Sequence, residues 1–208
     1  MARTVARVPA DDRVVTALAW FTNAWRLKDR PREGWRVRGV ADPESVAAHS
    51  WGTAQLCLMF ADEAGVDRAQ AIEIALVHDL AEAEIGDLPS FGDVAERPVP
   101  PDEKARLERA AMNDLEASWP EAAARRTSRL WRAYEERDGD AAVFVRDMNL
   151  LDMSLQAYLY ARDRRGTEAT NLAEFFDSAD ARIATPVGRR RFEEVRAAFR
   201  ALGSERDG

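Results

Sequence analysis

The run Ala75-Leu76-Val77-His78-Asp79-Leu80-Ala81-Glu82-Ala83-Glu84-Ile85-Gly86-Asp87-Leu88-Pro89 joins a helical pattern to a chemical one. Ile72, Ala75, Leu76 and Leu80 keep three- and four-residue spacing, so a helix is predicted from Asp67 to about Ile85, where Gly86 ends it. On such a helix His78 and Glu82, four residues apart, share a face, and Asp79 stands about 100° around the axis. Imidazole nitrogen beside carboxylate oxygen is a donor set for divalent Mn, Co, Fe, Ni or Zn, with Glu82 one turn on as a carboxylate able to orient or deprotonate water. A His-Asp pair by itself also fits an ordinary hydrogen-bonded core histidine, so these residues alone leave two readings open.

Outward from this run, the chain reads as all-α. Strand signals are scarce, and Ala, Leu, Glu and Arg dominate at helical spacing. Helices are predicted over Asp11–Leu27, from Asp42-Pro43 to Gly65, over Asp102–Ser118, Pro120–Arg137 and Asp140–Arg164, then about Leu172–Ser178 and Pro186–Leu202. The Asp140–Arg164 segment carries Val145, Met148, Leu151, Leu155 and Leu159 and is the strongest core helix. Four prolines and a glycine between Asp87 and Pro101 mark a loop. With no repeat and no Gly/Ser-rich linker, the 208 residues are expected to form one domain over 1–208, with its motif core at about 31–164.

Composition removes several function classes. The net charge of −7 argues against nonspecific nucleic-acid binding, although a bound metal and a few arginines can still attract a small anion. No segment reaches the roughly 18 apolar residues of a membrane span, and Met1–Ala10 has no signal-peptide core, so a cytoplasmic protein without membrane partners is expected. The single cysteine, Cys57, excludes an internal disulfide and reads as a small buried hydrophobe. The tryptophans Trp20, Trp25, Trp51, Trp119 and Trp131 are assigned to packing, and Gly188-Arg189-Arg190-Arg191 to a solvated helix start.

His49 is the only other histidine, and it stands in Glu44-Ser45-Val46-Ala47-Ala48-His49-Ser50-Trp51. That stretch, the His78 run, the earlier Pro31-Arg32-Glu33-Gly34-Trp35 and the later Phe144-Val145-Arg146-Asp147-Met148-Asn149-Leu150-Leu151-Asp152-Met153-Ser154-Leu155-Gln156-Ala157 together resemble the HD-domain superfamily of metal-dependent phosphohydrolases. Within it they look like the bacterial 5'-deoxynucleotidases and the HD-domain-containing protein 2 group. The resemblance implies a helical fold in which a histidine, a His-Asp pair and a distant aspartate hold one divalent metal (Mn, Co, Fe, Ni, Zn or Mg). It also implies hydrolysis of nucleoside 5'-monophosphates by a metal-activated water.

Carried over by position, the metal ligands are His49, His78, Asp79 and Asn149. The last departs from the family's aspartate and removes a charge, and Asp152, one turn on, is a substitute. Ala48 stands where relatives often carry an acidic residue. Glu82 and Asp87 match catalytic carboxylates. Arg32 and Arg38 are candidate phosphate grips and Trp35 a stacking or wall residue, although Gly34 stands where the bacterial enzymes place arginine. The expectation is a 5'-nucleotidase-like hydrolase of a small phosphorylated substrate, as a homodimer. The alternatives are a nucleoside triphosphate triphosphohydrolase, disfavoured by the few Arg and Lys near His78, or a degenerate HD module that binds without turnover.

Overall fold

The computed structural model describes residues 22–88, 99–166 and 171–204. Among these, after the helical residues 22–25, nine α-helices follow in order: α1 (Glu33–Arg36), α2 (Val46–Ala64), α3 (Arg68–Val77), α4 (Glu82–Ile85), α5 (Pro101–Ser118), α6 (Glu121–Glu136), α7 (Asp140–Arg162), α8 (Ala173–Asp180) and α9 (Pro186–Ser204). The all-α expectation holds. The helix predicted over Asp11–Leu27 lies mostly outside the described residues, as do residues 89–98 of the loop predicted from Asp87 to Pro101, while residues 22–25 are helical.

The layout follows from where apolar side chains fall. Along α7, Phe144, Val145, Met148, Leu151, Met153 and Ala157 are all buried, so this helix is enclosed by neighbours rather than lying on a surface. It packs against α2, α3, α8 and α9, while α6 bridges α3, α5 and α7. A second, smaller apolar cluster collects Leu27, Val46, Leu80, Ala83, Met112, Leu115 and Trp131 around α5. The turn carrying His78 therefore lies where the two clusters meet.

Three local expectations change. The cap of α2 is Ser45, whose hydroxyl accepts from the Ala48 N–H, so the helix starts later than Asp42-Pro43. The helix predicted through Ile85 stops at Val77. Residues 78–81 turn with i to i+3 bonds, Leu80 N–H to Val77, Glu82 N–H to Asp79 and Ala83 N–H to Leu80, at 3.0–3.1 Å. In that tighter winding, residues three apart eclipse, so Asp79 and Glu82 share a face, not His78 and Glu82. Finally, Trp25 and Trp51 are 52% and 64% exposed, contrary to their packing assignment, whereas Trp119 and Trp131 are buried and Trp20 is outside the described residues.

The basic run is not simply solvated: Arg189 pairs with Asp180, and Arg190 and Arg191 reach Glu63, tying α9 to α2. No helix among the described residues is long and apolar enough to cross a membrane.

Candidate metal centre and cleft

Each histidine is held by one ring nitrogen, which leaves the other pointing into the site. His78 Nδ1 lies 2.7 Å from the Ala75 carbonyl. A carbonyl can only accept, so Nδ1 carries the proton and a neutral ring keeps its lone pair on Nε2. His49 Nδ1 lies 2.7 Å from Asp152 Oδ2, a carboxylate–histidine pair that orients the ring in the same sense when Nδ1 carries the proton. Both Nε2 atoms are buried without a hydrogen-bond partner. They converge on Asp79 Oδ2, at 3.2 Å from His78 and 3.7 Å from His49.

Two solvent-excluded acceptors facing one carboxylate oxygen are costly unless something binds them, and a divalent cation satisfies all three. Burial first, then the Arg32 charge, pushes His49 down to about 3, so its ring is neutral and available as a ligand. Burial opposes the Asp79 charge, yet His78, Arg32 and His49 around it hold its carboxyl well below the usual range.

Asp152 does not replace Asn149 on the ligand side, because it sits behind His49 on Nδ1. Its approach depends on Gly52 of α2, where an added Cβ would run into Asp152 Oδ1. Burial raises the Asp152 carboxyl to about 7. Asn149 lines the cleft, and its Nδ2 donates to the Tyr134 hydroxyl at 2.6 Å, which leaves the amide oxygen as its remaining donor atom for a metal. Asp147 turns away, accepting from Ala184 N–H, Thr185 N–H and Thr185 Oγ1 at the start of α9.

The cleft beside the centre holds about 350 Å³. Arg32 enters it because the Pro31–Ser45 bridge draws its segment onto the start of α2. Its Nη1 donates to Asp79 Oδ2 at 3.1 Å and lies 3.9 Å from Glu82 and 3.8 Å from Asp87. Glu82 is 2% exposed, with Oε2 unpartnered; burial, then Asp79 and Asp87, raise its carboxyl well above the ordinary value, against the pull of Arg32 and Lys104. Asp87 Oδ2 accepts from the Glu33 N–H at 2.8 Å and so also fixes the start of α1.

One substrate expectation is corrected, and of the two roles given for Trp35 the structure has the wall. Arg38 is not an open phosphate grip: its Nε and Nη2 both engage Glu174, and its guanidinium lies 4.9 Å over Phe175, which anchors α8 to α1. Trp35 is a wall, 2% exposed, with its ring against Phe175 and Tyr160 and its Nε1 donating to Glu44.

Cleft residues that sequence reasoning missed are Lys104, Glu108, Tyr134, Arg137, Arg146 and Arg182. Lys104 Nζ donates to the Leu88 carbonyl at 2.9 Å and pairs with Glu108 at 3.5 Å. Tyr134 belonged to an apolar stripe with Leu130 and Trp131, so only its hydroxyl hinted at a site.

An enclosed helical core carrying two opposed histidines and an aspartate is a metal-hydrolase type of arrangement. A family model described as HD domain matches residues 24–189, and the chain belongs to that family. It is similar to the 5'-deoxynucleotidase HDDC2 of Bos taurus, 34% identical over 161 residues, which cover 77% of this chain and 75% of that protein. The human protein of the same name is 31% identical over 161 residues, with 77% and 75% covered. Among solved structures, PH0347 from Pyrococcus horikoshii OT3 aligns with a TM-score of 0.70 at 30% identity, covering 88% of this chain and 98% of that one.

Proposed function

We propose that this chain is a metal-dependent phosphohydrolase that releases phosphate from a nucleoside 5'-monophosphate, as the names of its 5'-deoxynucleotidase relatives describe for them. The observation that carries the reading is the pair of buried, unpartnered Nε2 atoms of His49 and His78 beside Asp79. These three residues, with the Asn149 amide oxygen as a neutral fourth donor, would hold one divalent metal. Such an ion polarises a phosphoryl oxygen and lowers the pKa of water. Arg32 grips the phosphate, since its guanidinium is the cation that already reaches Asp79. Glu82, buried and biased toward its protonated form, exchanges a proton with water or with the leaving alkoxide. Asp87 keeps Arg32 and the start of α1 in place.

A second reading, hydrolysis of nucleoside triphosphates, gains ground from one observation. The cleft gathers Lys104, Arg137, Arg146 and Arg182, cations that the segment around His78 does not supply. A cytoplasmic homodimer forms part of the same proposal.

The test is metal analysis of the purified protein, with phosphate release measured from nucleoside 5'-monophosphates and 5'-triphosphates under added Mn, Co, Mg or Zn. Release from monophosphates that vanishes in His78→Ala supports the nucleotidase, and inorganic triphosphate released together with the nucleoside from triphosphates favours the second reading. Tighter metal binding by Asn149→Asp would support Asn149 as the neutral donor. Absence of both metal and turnover leaves a binding module.

A further inference from the structure

Tyr134 on α6 and Asn149 on α7 form one unit. Asn149 Nδ2 donates to the Tyr134 hydroxyl at 2.6 Å, and both residues line the cavity that Arg32, Asp79 and Glu82 also border. The tyrosine is held from other sides as well. Its ring lies 5.0 Å from that of His78, and the Arg146 guanidinium lies 4.8 Å over it. At 6% exposure the side chain has no freedom to seek partners outside the cavity.

The direction of that hydrogen bond decides what the phenol can do. A hydroxyl has one proton to donate and two lone pairs to accept with. Here it accepts from the amide, so its own proton is unused, and among the described residues no acceptor takes it. The phenol keeps that proton at neutral pH, since its ordinary pKa is about 10. A buried O–H without an acceptor is unfavourable, and the cavity is the space from which an acceptor can come.

An aspartate at position 149 would reverse the bond. A carboxylate can only accept, so it would take the phenol's hydrogen bond for itself. Asparagine links two roles instead. An amide that turns its nitrogen to Tyr134 keeps its oxygen for a cation at His49, His78 and Asp79, and leaves the Tyr134 O–H unengaged. In place of one negative charge, the pair offers a neutral oxygen and a free donor.

We propose that Tyr134 is a catalytic residue of this chain, donating a hydrogen bond to a non-bridging oxygen of the phosphoryl group, and that Asn149 is what frees it to do so. This rests on the phosphohydrolase reading and adds to it a neutral donor that works beside the charge of Arg32. A donor fixed before the substrate arrives stabilises the negative charge on those oxygens without reorganising. No proton changes hands in this contact; that exchange stays with Glu82.

The experiment is a double-variant cycle of Tyr134→Phe and Asn149→Asp in the full chain, in which phenylalanine keeps the ring beside His78. With Mn at saturation, calorimetric titration with inorganic phosphate should show about ten-fold weaker binding for Tyr134→Phe than for the wild type. In the Asn149→Asp background the same change should have almost no effect, because there the phenol already donates to the carboxylate. Metal affinity is read separately by chelator competition, and circular dichroism checks that all four proteins keep their helices. If Tyr134→Phe lowers metal affinity and leaves phosphate binding at saturating Mn unchanged, the tyrosine only steadies Asn149 and the proposal is overturned. A loss of equal size in both backgrounds overturns it too, since the donor would then be free whatever stands at 149. If the cycle behaves as expected while no nucleotide is hydrolysed with any metal, Tyr134 stands as an anion donor and the phosphohydrolase reading falls. Hydrolysis without the coupling keeps that reading and removes the donor.

Discussion

The two ends of the cleft are built on opposite principles. At the histidine end every donor is backed by a buried partner: Asp152 behind His49, the Ala75 carbonyl behind His78, Arg32 against Asp79. At the arginine end the cations lie on a ring face, a backbone carbonyl and a serine, and Arg137 and Arg182 are exposed. The difference teaches what each task requires. Donor atoms fit to hold a metal need fixed tautomers and cannot wander, whereas exposed guanidinium groups resting on a ring and on single acceptors are placed more loosely. Helix α7 contributes to both ends, with Arg146, Asn149 and Asp152 three residues apart along it.

The largest expected effect tests whether the histidine end is the chemical one. His78→Ala should lose bound metal and fall to background phosphate release, while retaining helical content by circular dichroism. Survival of activity would erase the distinction between the ends. Next, Asp152→Asn keeps the shape of the group behind His49 but weakens its hold, so metal affinity should drop about 10–100-fold in a chelator competition. An unchanged affinity would mean that His49 is oriented by packing alone.

Gly52→Ala probes the same backing through sterics. With Asp152 Oδ1 in the way of the new methyl group, thermal unfolding should reveal a loss of about 1–3 kcal/mol.

The smallest effect concerns Glu108, on the rim beside Lys104. Burial raises its carboxyl to about 7, against the pull of Lys104. The folded state thus binds its proton more tightly than the unfolded chain, so stability is lost as pH rises from the ordinary carboxylate value through 7. Glu108→Gln removes that slope, and denaturant midpoints should show the variant gaining about 1–3 kcal/mol on the parent between pH 5 and pH 8. A parallel pair of profiles would show that the rim does not press on this carboxylate.

Much of the histidine end was legible. His78, Asp79 and Glu82 form one short run, and His49 stands in a second recognisable block. What the pattern misjudged was the local winding. Ideal helix spacing pairs His78 with Glu82, but the chain tightens after Val77 and stacks Glu82 on Asp79 instead. Arg38 shows another limit. Its neighbours in sequence gave no sign of Glu174, which lies 136 residues away and takes its guanidinium.

By itself the sequence determined the helical class, the strength of α7 as a core helix and the donor types around His78, because apolar period and local motif are properties of adjacent residues. The side of His49 on which Asp152 would sit was left to tertiary structure. So were the loss of Arg38 to Glu174 and the meeting of Arg137, Arg146 and Arg182 on one wall. Each of these depends on how separate helices pack, and packing brings together charges whose spacing along the chain carries no period to read.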